Sequence, residues 1–87
     1  MVYRVKIKDQ ALKALKKISE PEQSRIRRRI DALADDPRGP GVKKLQGADD
    51  LYRVRAGDYR LIYQIQDDVL LVLVVRVGHR KEIYREN

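Results

Sequence analysis

The sequence predicts an α+β fold of order β-α-α-β-β-β, with a short last helix or a loose tail after the final strand. Two observations carry this reading. Two stretches with apolar residues at helical spacing lie early in the chain, and three β-type runs follow a Gly/Pro-containing connection. Two amphipathic helices must bury their stripes on one face of a small, antiparallel-rich sheet. The other face is left more open. The chain has 87 residues, enough for a single domain over 1–87 and too few for a second core.

Each element has its own local cause. Tyr3, Val5 and Ile7 alternate with Arg4, Lys6 and Lys8, the period of a half-buried strand. Asp9 is placed to cap a helix over 10–18. Ala11, Leu12, Ala14, Leu15 and Ile18 form its apolar face, and Lys13, Lys16 and Lys17 lie on the other side. Ser19-Glu20-Pro21-Glu22 fits a capping box with an early proline and starts a second helix. Ile26, Ile30, Leu33 and Ala34 are its buried stripe. Arg28 points away from the stripe, and Arg25, Arg27 and Arg29 flank it. Asp36-Pro37 ends that helix. Residues 38–50, carrying Lys43 and Lys44, read as an irregular connection.

Three strands follow, at about 52–56, 59–66 and 69–77. Gly57-Asp58 and Asp67-Asp68 read as tight hairpin turns. The run 69–75 is apolar on both faces, which suits a central strand. Tyr52, Tyr59 and Tyr63 read as core or edge residues.

Composition bounds the function. There is no cysteine, so no disulfide framework and no thiolate metal site. One histidine argues against a zinc site, and no metal or cofactor is expected. The N-terminus lacks the apolar core of a signal peptide. The longest apolar run is far shorter than the roughly 20 residues that span a bilayer. A cytoplasmic chain without a membrane partner is expected. The net charge of +7 points to an anionic partner. Most of the excess lies in residues 1–50, so the arginines of the last third matter by position.

Those arginines carry the chemistry. In Leu51-Tyr52-Arg53-Val54-Arg55-Ala56-Gly57-Asp58-Tyr59-Arg60, period-2 geometry puts Arg53 and Arg55 on one face of a strand. The Gly57-Asp58 turn returns Arg60 toward them. His79, Arg80 and Tyr84 follow after the long apolar strand. A cationic face with a histidine and a tyrosine at its rim suits an anionic polymer such as RNA. The plain alternative is the solvated face of an amphipathic strand.

At these residues the chain resembles the RelE toxins of bacterial and archaeal toxin–antitoxin pairs, within the RelE/ParE superfamily. The resemblance is carried by Lys43-Lys44-Leu45-Gln46-Gly47, by the run from Leu51 through Arg60 to Leu61-Ile62-Tyr63, by Val77-Gly78-His79-Arg80, and by Tyr84. It implies a metal-independent endoribonuclease that cleaves mRNA in the ribosomal A site. It also implies an acidic, RelB-like antitoxin as partner, with operator DNA reached only through that complex. Position by position, it sets Arg53 and Arg55 at the family's basic pair, Arg60 and Arg80 at its phosphate-binding arginines, and Tyr84 at its C-terminal tyrosine.

Well-studied members have lysines at the basic pair. An arginine stays charged at any working pH and is a poor general base. Two sources of proton transfer stay open: His79, or the ribosome and the substrate. Lys13, Lys16, Lys17, Arg25, Arg28, Arg29, Lys43 and Lys44 are candidates for ribosome or RNA contact through phosphates. Two other readings stand beside the ribonuclease. One is a ParE-like inhibitor of DNA gyrase, and the other is a catalytically weak toxin acting mainly in its antitoxin complex.

Overall fold

The computed structural model describes residues 2–47 and 50–79. Strand β1 (Arg4–Ile7) leads into helix α1 (Asp9–Lys16) and helix α2 (Glu22–Leu33). Strand β2 (Lys43–Lys44), strand β3 (Leu51–Ala56), strand β4 (Tyr59–Gln66) and strand β5 (Leu71–His79) follow. They form one five-stranded sheet of order β1-β5-β4-β3-β2. β1 pairs parallel to β5, and every other neighbouring pair is antiparallel.

One face of the sheet is closed by both helices. Ala11 and Leu15 of α1 and Ile26, Ile30 and Leu33 of α2 join Val54, Ala56, Leu61, Tyr63, Ile65, Val72, Val74 and Val77 in a single core cluster. These strand residues alternate with residues that point to the other, open face. The helical stripes and the sheet therefore meet as expected, and Lys13, Lys16 and Lys17 are exposed on the outside of the helical layer.

Several local expectations are corrected. Asp9 is the first residue of α1 and not its cap; Lys8 occupies that position in extended conformation. The Lys8 amide donates to Val74 O at 2.9 Å, which fastens the chain to the sheet. The capping box at Ser19 does not form. Glu20 does its work instead, accepting from the Ser24 amide at 2.8 Å and from the Ser24 hydroxyl at 2.7 Å. Those two bonds hold the Glu20 carboxyl below its usual range. Gln23 reaches back from α2 and donates to Ile18 O and Leu15 O, which satisfies carbonyls at the end of α1.

Asp67-Asp68 is not a two-residue hairpin. Asp67–Val69 forms a 3-10 turn, and Leu70 takes a left-handed conformation with φ 51°. Val69 is therefore outside the strand and exposed, and the strand runs to His79. The connection after α2 is not wholly irregular either, because Lys43 and Lys44 pair with Arg53 and Tyr52.

That connection is tied down by side chains. Arg38 donates to both carboxylate oxygens of Asp67, at 3.0 and 2.8 Å, and lies over the Tyr52 ring. Tyr3 donates its hydroxyl to Asp67 at 2.6 Å. Tyr63 is buried and donates to Pro37 O at 2.6 Å, while its ring stacks on Tyr52. Tyr52, Tyr59 and Tyr63 thus all belong to the core or its margin. The possible last helix or tail lies outside the described residues.

Candidate nucleic-acid interface

The open face is built by strand register. Arg55 pairs with Arg60, and Arg53 pairs with Ile62. Lys43 pairs with Arg53 on one side, and Arg76 pairs with Ile62 on the other. Directly opposed residues share a face of the sheet. Two rows of side chains therefore cross the open face: Lys43, Arg53, Ile62 and Arg76 in one, Arg55 and Arg60 in the next. The second row ends at Gly78, opposite Arg60, which brings no side chain.

The hairpin that joins β3 and β4 sets this register. Gly57 has φ +63°, the conformation that a tight primed turn requires at its first central residue. A Cβ there would also lie 3.3 Å from an Arg25 guanidinium nitrogen. Arg55 donates through Nε to Gly57 O at 2.9 Å, so its guanidinium folds back over the turn.

A cavity of about 290 Å³ opens between these residues, lined by Gly41, Lys43, Arg53, Val54, Arg55 and Arg60. Among the described residues that line it, the charged groups are all cations. Arg60 and Arg53 are half-buried and Arg55 is exposed. The Nε of Arg60 is buried. Among the described residues, no group of three or more His, Cys, Asp and Glu side chains could hold a metal ion, and no helix is long and apolar enough to cross a membrane. The chemistry on offer is that of guanidinium forks, which match a phosphate bidentately and keep their charge.

The other sequence candidates divide. His79 is not on this face. It pairs with Tyr59, and the two rings meet edge to face with centroids 5.6 Å apart. Tyr59 packs against the core on the helical side, so His79 lies on that side too. The expectation of a histidine at the rim of the arginine face is corrected. Lys43 and Lys44 sit on an edge strand and not in a loop, and only Lys43 points to the open face. Lys13, Lys16, Lys17 and Arg28 are exposed on the helices, with the sheet between them and the cavity. Arg29 donates to Pro40 O at 2.9 Å and braces the connection. Arg25 lies against the Gly57 turn. Arg80 and Tyr84 lie outside the described residues. Arg76 is an open-face cation beside this cavity that the sequence reading did not single out.

A sequence profile described as the ParE toxin of type II toxin–antitoxin systems matches residues 5–84. The chain belongs to the RelE/ParE family of type II toxins. Within this family its likeness runs to proteins that carry the RelE name. It is 31% identical over 90 residues to the mRNA interferase toxin RelE of Escherichia coli K12, which covers 99% of this chain and 94% of that protein. The RelE–RelB complex of the archaeon Pyrococcus horikoshii superposes with TM-score 0.81 at 35% identity, over 92% of this chain and 97% of that one. The RelBE2 toxin–antitoxin complex of Mycobacterium tuberculosis gives TM-score 0.82 at 27% identity, over 92% of this chain and all of that one. The two-helix, single-sheet architecture of this RelE/ParE-family toxin is thus shared with solved RelE structures.

Proposed function

We propose that this RelE-type toxin is a metal-independent endoribonuclease that cleaves mRNA on the ribosome, in the A site. The observation that carries the reading is the cationic cavity: Lys43, Arg53, Arg55 and Arg60 converge on one open sheet face with no acid among them. The name of the Escherichia coli relative, an mRNA interferase, supports the same reading.

The reaction is a transesterification. The ribose 2′-oxygen attacks the adjacent phosphorus and loses its proton, and the bond from phosphorus to the 5′-oxygen breaks as that oxygen is protonated. The products are a 2′,3′-cyclic phosphate and a 5′-hydroxyl. Charge builds on the non-bridging oxygens in the transition state, where preorganised cationic donors stabilise it most. Arg60 and Arg53, half-buried, hold those oxygens, and Arg55 and Lys43 complete the cradle. Arg80 and Tyr84 join as a further hydrogen-bond donor to phosphate and a base-orienting ring. With His79 on the helical side, the proton transfers fall to the ribosome and the substrate.

An acidic RelB-like antitoxin neutralises the toxin, consistent with the RelE–RelB complexes among its structural neighbours, and operator DNA is bound only through that complex. The exposed lysines of α1 and the arginines of α2 serve ribosome contact through phosphates.

In vitro translation of a defined mRNA, with primer extension with and without ribosomes, tests the proposal. Cuts confined to A-site codons are expected with ribosomes. Arg60→Ala and Arg53→Ala should each lower the single-turnover rate about 100- to 1000-fold, with unchanged circular dichroism. Intact mRNA would reject the ribonuclease and turn attention to gyrase supercoiling, the activity of the ParE branch.

A further inference from the structure

We infer that the RNA track of this face continues past the cavity onto β5, and that Arg76 is a substrate-positioning residue binding a backbone phosphate beside the scissile one. The inference rests on the ribonuclease reading and names where its substrate strand runs.

Three observations support it. First, Arg76 completes the row that begins at Lys43 and Arg53: register pairs Lys43 with Arg53, Arg53 with Ile62 and Ile62 with Arg76. At about 4.8 Å per strand, that row crosses roughly 14 Å of sheet. It therefore reaches outside the cavity, whose lining among the described residues stops at β4.

Second, Ile62 is only 7% exposed although it is no part of the core cluster on the other face. That leaves the accessible chemistry of the row to the cations at its ends, Lys43 and Arg53 on one side of Ile62 and Arg76 on the other.

Third, Arg76 faces the open side only because β5 carries an extra residue. Tyr63 pairs with Val74 and Ile62 with Arg76, so Val75 is the residue without a direct opposite. Val72 and Val74 point inward, and unbroken alternation would turn Arg76 inward as well. The bulge re-aims it outward, a use of bulges common beside active sites.

Arg76 stands one row from Arg60, about 7 Å along the strands. It also stands two strands from Arg53, about 10 Å across the sheet, on the far side of Ile62 from the cavity, and is placed for the next phosphate of an extended strand. Its contribution is therefore to binding and alignment, while Arg60 and Arg53 act on the transition state.

The test compares wild type, Arg76→Ala, Arg76→Lys and Arg4→Ala, the last an open-face cation on β1 opposite Leu71. Binding of a short fluorescent single-stranded RNA is followed by anisotropy across a salt series, and steady-state cleavage is measured on programmed ribosomes. Arg76→Ala should weaken RNA binding about tenfold, the worth of one charge-assisted contact. It should flatten the logarithmic salt slope by about 0.7, one phosphate of a single strand. In cleavage, KM should rise while kcat stays within about twofold. Arg76→Lys should restore most of the slope, and Arg4→Ala should match wild type.

An unchanged slope and KM in Arg76→Ala would overturn the inference. So would a kcat loss as deep as that of Arg60→Ala, or a defect confined to binding the antitoxin. Wild type that binds RNA with an Arg76-dependent slope but cuts nothing would sink the ribonuclease and leave the track standing. Wild type that does not bind RNA would sink the track.

Discussion

Arg55 and Arg60 stand directly opposite each other across the β3–β4 hairpin. Like charges in that position destabilise a sheet by roughly 0.2–1 kcal/mol. The Arg55 guanidinium turns onto the Gly57 carbonyl, 2.9 Å away, and so leaves the axis of the pair. A sheet built only for stability would place an acid or an apolar residue there. Two facing arginines beside Arg53 and Lys43 make sense under the proposed function, as a cradle for phosphate.

This pair should show a trade of stability against activity. Arg55→Ala removes half of a repulsive pair, so its thermal stability should equal or exceed wild type by up to about 1 kcal/mol. Ribosome-dependent cleavage should fall at the same time. Calorimetry and single-turnover cleavage on the same preparation check both. A clear loss of stability would mean that the bond to Gly57 O outweighs the repulsion.

His79 should behave as a packing residue. Its ring meets Tyr59 edge to face on the helical side, a contact of about 0.5–1.5 kcal/mol. His79→Ala should lower the unfolding free energy by about that amount. The shape of the pH–rate profile for cleavage should not change. Loss of one limb of that profile would instead make His79 a proton-transfer group.

The Arg38–Asp67 bridge should shape the acid limb of stability. Hydrogen bonds from Arg38 and then from Tyr3 hold the Asp67 carboxyl at about 2, against 3.8 ordinarily. A lowered folded pKa gives stability that is complete above the unfolded value and lost as pH falls through the folded one. The loss should therefore run from about pH 4 down to 2. Urea midpoints across that range should fall less steeply in Asp67→Asn than in wild type, and equal slopes would show that the bridge is not formed in solution.

Tyr63 should shape the alkaline limb. Burial pushes its hydroxyl to about 12, so folding favours the neutral phenol. Its stabilisation is present below pH 10 and is lost as pH rises from 10 to 12. Tyr63→Phe removes that slope. It also leaves the Pro37 carbonyl without its donor, at a cost of about 1–3 kcal/mol. Equilibrium unfolding at pH 7 and 11 separates the two effects.

Much of this molecule was legible in the chain itself. Alternation and helical spacing located both helices and the four longer strands, because each must bury one face and its period follows from backbone geometry. The same alternation placed Arg53 and Arg55 together, and a Gly-Asp turn was enough to bring Arg60 back to them. The two-residue β2 was missed because a strand that short has no period. The cap at Glu20 was missed because the local Ser19 pattern competes with it, and geometry chose the carboxylate. What only the tertiary structure decided is the face each late residue takes. The Val75 bulge reverses the alternation of β5 beyond it, so Val77 goes to the core and Arg76 to the open face. His79 falls in register with Tyr59 on the helical side. A one-residue slip moves every side chain after it to the other face. Such slips arise from pairing with a neighbouring strand, so the order of residues along β5 alone does not reveal them.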